Sequence, residues 1–203
     1  MENLTVLKPN NKKLRQQSVD IEKLELRTKA FQSLVNSLLD FTYGKNNKGS
    51  NRNTNKPSTV GLSAIQLGIS KKIIIVDLGI GHKSYSDLHV LINPEIIWQS
   101  KSLTYRAEGC VNLPQIWGIV KRSNRIKIKA LDRSGNYIML DMSGWPAILI
   151  QHEIDHLNGK LFIDKIEDPK KAFHVKEEEY KQFKKLKTKW DKFIDVSKLI
   201  VKN

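Results

Sequence analysis

Cysteine is almost absent from this sequence, which has one, Cys110, among 203 residues. A single cysteine excludes an intrachain disulfide, and we therefore expect a reducing, cytoplasmic setting. Long apolar runs are missing too, because no stretch approaches the roughly 20 residues that a membrane-spanning helix needs. Residues 1–10 have no apolar run after a basic segment, so we do not expect a signal peptide. These absences argue against a disulfide-rich secreted domain and against a membrane protein.

Acidic residues are scarce relative to basic ones. The chain has 35 Lys and Arg against 21 Asp and Glu, a formal net charge of +14. Such a surface favours proximity to a polyanion such as RNA or an anionic membrane. The alternative is a coding bias toward Lys, Asn and Ile. The length suits one domain with a sizeable core, and we expect a monomer.

The order of apolar patterns predicts an α+β fold. Residues 20–43 place apolar side chains on one helical stripe, which Gly44 ends; these are Leu24, Phe31, Leu34, Val35, Leu38 and Leu39. Strands are predicted at residues 71–78, at 89–97 with a break at Pro94, at 125–131 and at 137–142. The β-rich middle is therefore expected to form antiparallel sheets, with a helix before it and a central helix after it.

Two segments have a different composition. Residues 45–58 contain no large apolar side chain and predict a flexible surface loop, either an insertion or a mobile flap. Residues 167–203 are predicted to form a basic, helical C-terminal extension of a single domain at 1–166. Apolar residues recur there at helical spacing, with lysines between them: Tyr180, Phe183, Leu186, Trp190 and Phe193. Such a helix would pack on the domain or dock on RNA.

Residues 151–159 contain the pattern H-E-x-x-H. On a helix, His152 and His156 share one face and can bind one metal ion. Glu153 lies about 100° further around, where it can act as a general base and then as a general acid. Helix limits are indicated by Ser143 as N-cap with Pro146 in the first turn, and by Gly159 after the last turn. The alternative is a chance match on an ordinary helix, although buried ionisable groups need a partner or a metal.

A third metal ligand has several candidates. The extended motif that adds a histidine six residues after the second one is excluded, because that position is Phe162. A glutamate about twenty residues downstream would have to come from residues 177–179, which lie in a charged run and predict a solvated helix face. Upstream, Cys110 follows Glu108 and Gly109, just before a turn predicted at Pro114. A lone cysteine is more often a small core residue, but Glu108 could hydrogen-bond a metal ligand there.

Three stretches together resemble the signatures of peptide deformylases: G-L-S-A-I-Q at residues 61–66, E-G-C at 108–110 and Q-H-E-I-D-H-L-N-G at 151–159. Their order and spacing are also similar to those of that family. The resemblance implies a hydrolase that removes the formyl group from N-formylmethionyl peptides of newly made chains and releases formate.

The resemblance also implies roles for particular residues. One metal ion would be held by Cys110, His152 and His156, with Fe²⁺ as the native ion and Ni²⁺, Co²⁺ or Zn²⁺ able to substitute. Glu153 would be the general base, and the Gln66 amide and Val111 N–H would stabilise the oxyanion. The substrate would meet the backbone of Gly61 and Gly109 and a methionine pocket walled by Ile148 and Leu149.

The sequence departs from the family pattern at four positions. Thr59 and Ile65 stand where glycine and proline are usual, and Val111 and Asn112 follow the cysteine where leucine and serine are usual. These changes leave open a hydrolase that prefers another N-acyl substrate or has weak activity. The net charge of +14 and the lysine-rich C-terminal segment leave open a second alternative. This is a ribosome-associated binding protein that keeps a relic metal site and docks through its C-terminal helix.

Overall fold

A computed structural model describes residues 4–43, 59–79, 87–168, 172–176 and 179. The loop predicted at 45–58 and the helix predicted from Tyr180 onward lie outside these residues. The described helices are α1 (Lys23–Leu26), α2 (Lys29–Tyr43) and α3 (Trp145–Leu157), with short 3-10 helices at Lys12–Arg15, Ala64–Leu67 and Phe162–Lys165. Within the described ranges, none of the helices has the length and apolarity that crossing a membrane requires.

Among the described residues, eight strands form two antiparallel sheets. They are β1 (Gly61–Ser63), β2 (Ile73–Asp77), β3 (Leu88–Gln99), β4 (Leu103–Cys110), β5 (Leu113–Ser123), β6 (Arg125–Leu131), β7 (Tyr137–Ser143) and β8 (Ala172–His174). The larger sheet has the order β1-β2-β3-β6-β7 and the smaller one the order β4-β5-β8. The α+β class with antiparallel sheets is therefore confirmed, and β1 and β4 each lie at the edge of a sheet.

The larger sheet is covered by α2 on one face and by α3 on the other. Strand β2 shows why its sequence is apolar without alternation: Ile73 and Ile75 pack in the cluster that contains α2, whereas Ile74 and Val76 pack against α3. A strand buried on both faces needs no polar side. A third cluster joins β5 and β8 to the chain after α3. Helix α3 also contacts the smaller sheet, because the Gln151 side chain hydrogen-bonds the Ser123 backbone at the end of β5.

The single helix predicted at 20–43 is divided. The Thr28 hydroxyl accepts a hydrogen bond of 3.2 Å from the Phe31 N–H, which is the contact of an N-cap residue. A new helix, α2, therefore begins at Lys29. Leu24 belongs to α1 and is 78% exposed, so it does not join the apolar stripe.

Helix α3 begins one residue later than the sequence predicted. Its N-cap is Gly144, with φ of 63°, and Pro146 lies in the first turn. At the other end, Gly159 has φ of 68°, and the N–H groups of Gly159 and Lys160 donate to the carbonyls of His156 and Asp155 at 3.0 and 2.9 Å. This Schellman arrangement confirms the predicted role of Gly159 as the residue that ends the helix.

Pro94 and Pro114 do not interrupt their strands. Pro94 lies within β3, where the register shifts between Ile92 and Glu95, so its missing N–H falls in a bulge. Pro114 is the second residue of β5, and the turn precedes it at Val111 and Asn112. The prediction of a turn at Pro114 was wrong, and for this reason strand β5 was not predicted.

A strand also stands where a helical extension was predicted to begin. β8 pairs with β5 through Ala172 opposite Gly118, and Ala172 and Val175 are buried. Because the short stretch from 172 to 175 is mostly apolar, it completes the smaller sheet.

Candidate metal centre

The two histidines of α3 face the same buried space. Their Nε2 atoms lie 3.2 Å apart, and their rings meet edge to face with centroids 4.9 Å apart. His152 is 8% exposed and His156 is 1% exposed. The spacing of four residues on a helix is sufficient to produce this pair.

Cys110 joins the histidines from the end of β4. Its Sγ lies 3.3 Å from His156 Nε2. A register shift between Gly109 and Cys110 turns the strand there. In the described part of the chain, these three side chains form the only group of three or more metal-ligating residues whose donor atoms converge, all within 4.8 Å of one another.

The donor set fits a single transition-metal ion. Donors around a tetrahedral ion with bonds of about 2.0–2.3 Å are separated by ~3.3–3.6 Å, close to the separations of 3.2 and 3.3 Å found here. One thiol and two imidazoles suit iron, cobalt, nickel or zinc, whereas magnesium and calcium prefer oxygen. Three protein ligands also leave one position for water, as in catalytic sites.

A buried ionic network orients His152. Its Nδ1 lies 2.8 Å from Glu108 Oε2, which leaves Nε2 for the metal. Arg122 donates to both oxygens of Glu108 at 2.8 Å and also to Asp155. Burial opposes the charged form of Glu108, but the hydrogen bonds from Arg122 and His152 outweigh it and lower its pKa to about 2. Glu108 therefore stays ionised and fixes the tautomer of the histidine.

Aromatic packing supports the same ring. Phe162 stacks on His152 with centroids 6.1 Å apart and an interplanar angle of 21°. This is the position where an extended zinc-protease motif has its third histidine. His156 has no such polar support, because its buried Nδ1 has no hydrogen-bond partner among the described residues.

Glu153 is held beside the donor set. It is 3% exposed, and the Ser63 hydroxyl lies 2.7 Å from its Oε2 and 2.8 Å from its backbone oxygen. Burial raises the pKa of Glu153 above its usual value, which brings the carboxylate closer to the range of a useful general base. Gly61 leaves the room for it, since a Cβ there would lie 2.7 Å from Glu153 Oε1.

Gln66 reaches the cysteine from the 3-10 helix that follows β1. Its Nε2 lies 3.3 Å from Cys110 Sγ and 2.9 Å from Asn112 Oδ1. Val111 lies in the turn directly after Cys110, so its backbone is adjacent to the same donor atom. The fold thus brings Gln66, Cys110, Val111, His152, Glu153 and His156 together.

The residues expected to bind substrate surround this group. Gly61 lies on β1, and its missing Cβ would be 2.8 Å from Leu149 Cδ1. Gly109 lies on β4 opposite Trp117, whose ring would be 3.0 Å from a Cβ there. Ile148 and Leu149 are 1% and 5% exposed.

A family model for polypeptide deformylase matches residues 3–172. The chain belongs to the polypeptide deformylase family. A peptide deformylase of Stenotrophomonas maltophilia is 35% identical over 161 residues, which cover 79% of this chain and 85% of that protein. A peptide deformylase of Cellvibrio japonicus is 41% identical over 113 residues, covering 56% of this chain and 65% of that protein, so the match spans less than two thirds of this relative.

The fold agrees with solved deformylase structures. The crystal structure of the class I type b peptide deformylase of Acinetobacter baumannii with Met-Ala-Ser bound is similar to this chain with a TM-score of 0.66 and 30% identity. The similarity covers 80% of this chain and 98% of that one.

Two contributors to the site were missed from the sequence. Arg122, on the unpredicted strand β5, pairs with Glu108 and Asp155. Ser63 was noted within a motif but not as the partner of Glu153. A signal for Arg122 did exist, because two carboxylates inside an apolar helix require a cation or a metal nearby.

Proposed function

We propose that this chain hydrolyses the formamide bond of N-formylmethionyl peptides and releases formate. One observation carries the proposal: a Cys-His-His donor set lies beside a buried, hydrogen-bonded carboxylate in a member of the deformylase family. We propose Fe²⁺ as the native ion, one per chain, with Ni²⁺, Co²⁺ or Zn²⁺ able to replace it, because a thiolate with two imidazoles suits all four.

Cys110, His152 and His156 would hold the ion. When bound, it supplies a water of lowered pKa and polarises the formyl carbonyl. Glu153 accepts the proton of the attacking water and then donates it to the departing amine. The Gln66 side-chain N–H and the Val111 backbone N–H donate to the oxygen that becomes negative.

The peptide is proposed to lie between the two sheets. Gly61 and Gly109 belong to β1 and β4, which are edge strands, and an edge strand can pair with an extended peptide through its backbone. Ile148 and Leu149 would wall the pocket for the methionine side chain. The Met-Ala-Ser tripeptide bound to the Acinetobacter deformylase supports a peptide of this kind as the substrate.

Formate release from formyl-Met-Ala-Ser tests the proposal. Protein reconstituted anaerobically with Fe²⁺, and in parallel with Ni²⁺, should turn the peptide over. Glu153→Ala should retain one metal per chain and lose about 10²–10⁴-fold in kcat, the usual contribution of a general acid and base. The matched control is Glu95→Ala, which removes an exposed glutamate and should leave kcat unchanged. Activity of Glu153→Ala near that of the wild type would show that the acid–base assignment is wrong.

A second candidate function is supported by the altered positions Ile65, Val111 and Asn112. They border the site, and a hydrolase with another N-acyl preference would cleave acetylated peptides as well as formylated ones. A direct comparison of the two peptides separates the candidates. Four expectations stay predictions: ribosome contact through residues 180–203, a cytoplasmic location, a monomeric state and a domain limit near 166.

A further inference from the structure

We propose that Asn112 is a positioning residue that fixes the Gln66 amide with its N–H groups toward the Cys110 thiol, an inference that rests on the proposed function. Asn112 is 1% exposed and Gln66 is 2% exposed. Buried amides must satisfy both their donors and their acceptor. The contacts of these two side chains therefore define which end of each amide faces the site.

The orientation of Asn112 is set by backbone carbonyls. Its Nδ2 lies 2.8 Å from the Leu7 carbonyl oxygen and 3.2 Å from the Gln66 carbonyl oxygen. Both oxygens can only accept hydrogen bonds, so the nitrogen of Asn112 must face them. Its Oδ1 is left facing the Gln66 side chain, from which it accepts at 2.9 Å.

The other end of the Gln66 amide is also set by the backbone. Its Oε1 accepts from the Ser63 N–H at 2.8 Å. Rotating this amide by 180° would place its oxygen against Asn112 Oδ1 and its nitrogen against the Ser63 N–H. Two buried hydrogen bonds would then be replaced by contacts between groups of like polarity.

The Gln66 amide nitrogen carries two hydrogens. One of them is donated to Asn112, and the other points toward Cys110 Sγ, which lies 3.3 Å from Nε2. This second N–H is the one beside the metal donors and, in the proposed reaction, beside the developing oxyanion. A donor already aimed at that charge needs no reorganisation during the reaction. With Asn112 truncated, the Gln66 amide would keep only the Ser63 N–H at its oxygen and the Cys110 thiol at its nitrogen.

The N-terminal segment closes the same ring of contacts. The Leu7 N–H donates to the Gln66 carbonyl at 2.9 Å, while the Leu7 carbonyl accepts from Asn112. The orientation of the Asn112 amide is therefore fixed by Leu7, which takes no part in the chemistry. This second anchor distinguishes it from a residue that only fills space.

The test compares Asn112→Ala, Gln66→Ala and the double variant. Loss of one oxyanion donor costs about 10²–10³-fold in kcat, and loss of its alignment should cost ~10-fold with KM nearly unchanged. Because Asn112 acts through Gln66, adding Asn112→Ala to Gln66→Ala should cause no further loss of kcat. An equal loss in both backgrounds would overturn the proposal.

A second readout does not depend on turnover. In Co²⁺-loaded protein, the thiolate-to-Co²⁺ absorption band reports the hydrogen bond that Gln66 donates to Cys110. The band should shift in Asn112→Ala and in Gln66→Ala. The double variant should show the same shift as Gln66→Ala, because an effect of Asn112 on Cys110 itself, whose Sγ lies 3.6 Å from Asn112 Oδ1, would instead add to that shift. An unshifted band in Asn112→Ala would also overturn the proposal. Should wild-type protein release no formate, the proposed function fails while this spectral comparison still decides the role of Asn112.

Asn93→Gly is the matched control. The Asn93 amide also clamps the N-terminal part of the chain, through the N–H and C=O of Ile21 at 2.9 and 2.8 Å, and glycine tolerates its φ of 49°. This variant loses a similar clamp whose hydrogen bonds to Ile21 do not involve Gln66 or Cys110, and it should leave the band and kcat unchanged. If Asn112→Ala does not fold, Asn112→Ser keeps an acceptor of shorter reach and should show a smaller shift and loss of the same kind.

Discussion

Replacing Arg122 by methionine should cost this protein far more stability than replacing an exposed arginine would. The Arg122 side chain is 2% exposed and pairs with Glu108, which is 3% exposed, and with Asp155, which is 13% exposed. Methionine would fill most of the volume but would remove the cation that joins Glu108 to Asp155, leaving Glu108 with His152 and Asp155 with Lys165. The variant therefore measures the cost of removing one partner from a buried ionic network.

Removing one partner of a buried ion pair destabilises proteins by about 3–5 kcal/mol. Burial opposes the charged form of Glu108, yet the hydrogen bonds from Arg122 and His152 together lower its pKa from 4.5 to about 2, so the direction of the pKa shift supports a large cost. We expect Arg122→Met to lose roughly 3–5 kcal/mol in free energy of unfolding near neutral pH.

Urea unfolding of the metal-free protein is the appropriate assay, because metal binding would add its own stabilisation. Arg125→Met is the control. Arg125 also makes a bidentate pair, with Asp141 at 2.7 and 2.8 Å, but its side chain is 55% exposed, so its loss should be within experimental error. Equal losses in the two variants would refute the argument from burial.

The pH dependence gives a further check. Because the folded-state pKa of Glu108 is lowered, its stabilisation is present above pH 4.5 and is lost as the pH falls toward about 2. Without Arg122, burial should raise this pKa, so protonation would relieve the variant at a higher pH, before the wild type begins to lose its own stabilisation. The stability difference between wild type and Arg122→Met should therefore narrow on acidification.

Two other substitutions address the site directly. Cys110→Ser should lower the metal content per chain after gel filtration and change the order of metal preference, since a hydroxyl is a harder ligand; unchanged iron content would remove Cys110 from the ligand set. Gly61→Ala should reduce kcat and cost about 1–3 kcal/mol of stability, because the new Cβ would lie 2.7 Å from Glu153 Oε1 and 2.8 Å from Leu149 Cδ1. Retention of full activity by Gly61→Ala would show that the Glu153 carboxylate can shift without loss of function.

Local patterns in the sequence were sufficient for the parts of the site that lie on one element. The spacing of His152 and His156 predicts neighbouring side chains, because helical geometry relates residues four apart. The same is true of the Gly159 helix end and of β6 and β7. Cys110 could not be placed in this way. Its contact with His156 joins residues 46 apart in sequence, and only the resemblance to a family indicated it.

The network around Arg122 was beyond local reasoning for two reasons. Strand β5 has no clean alternation, since Pro114, Trp117 and Gly118 interrupt its pattern. Gly118 is required by a distant residue, because a Cβ there would collide with Ile166. In addition, nothing in the sequence indicates that this arginine side chain is buried. Only the need of Glu108 and Asp155 for a cation points to it.

The contacts of Leu7 have a consequence for how the protein is made. They join residues 105 apart in sequence, and the Arg15–Asp164 ion pair spans 149. Chains dominated by such distant contacts fold slowly, because long loops must close before the contacts can stabilise the folded state. During synthesis, the residues around Gln66 and Cys110 emerge well before α3. The Cys110, His152 and His156 side chains can therefore come together only after nearly all of the described fold has left the ribosome.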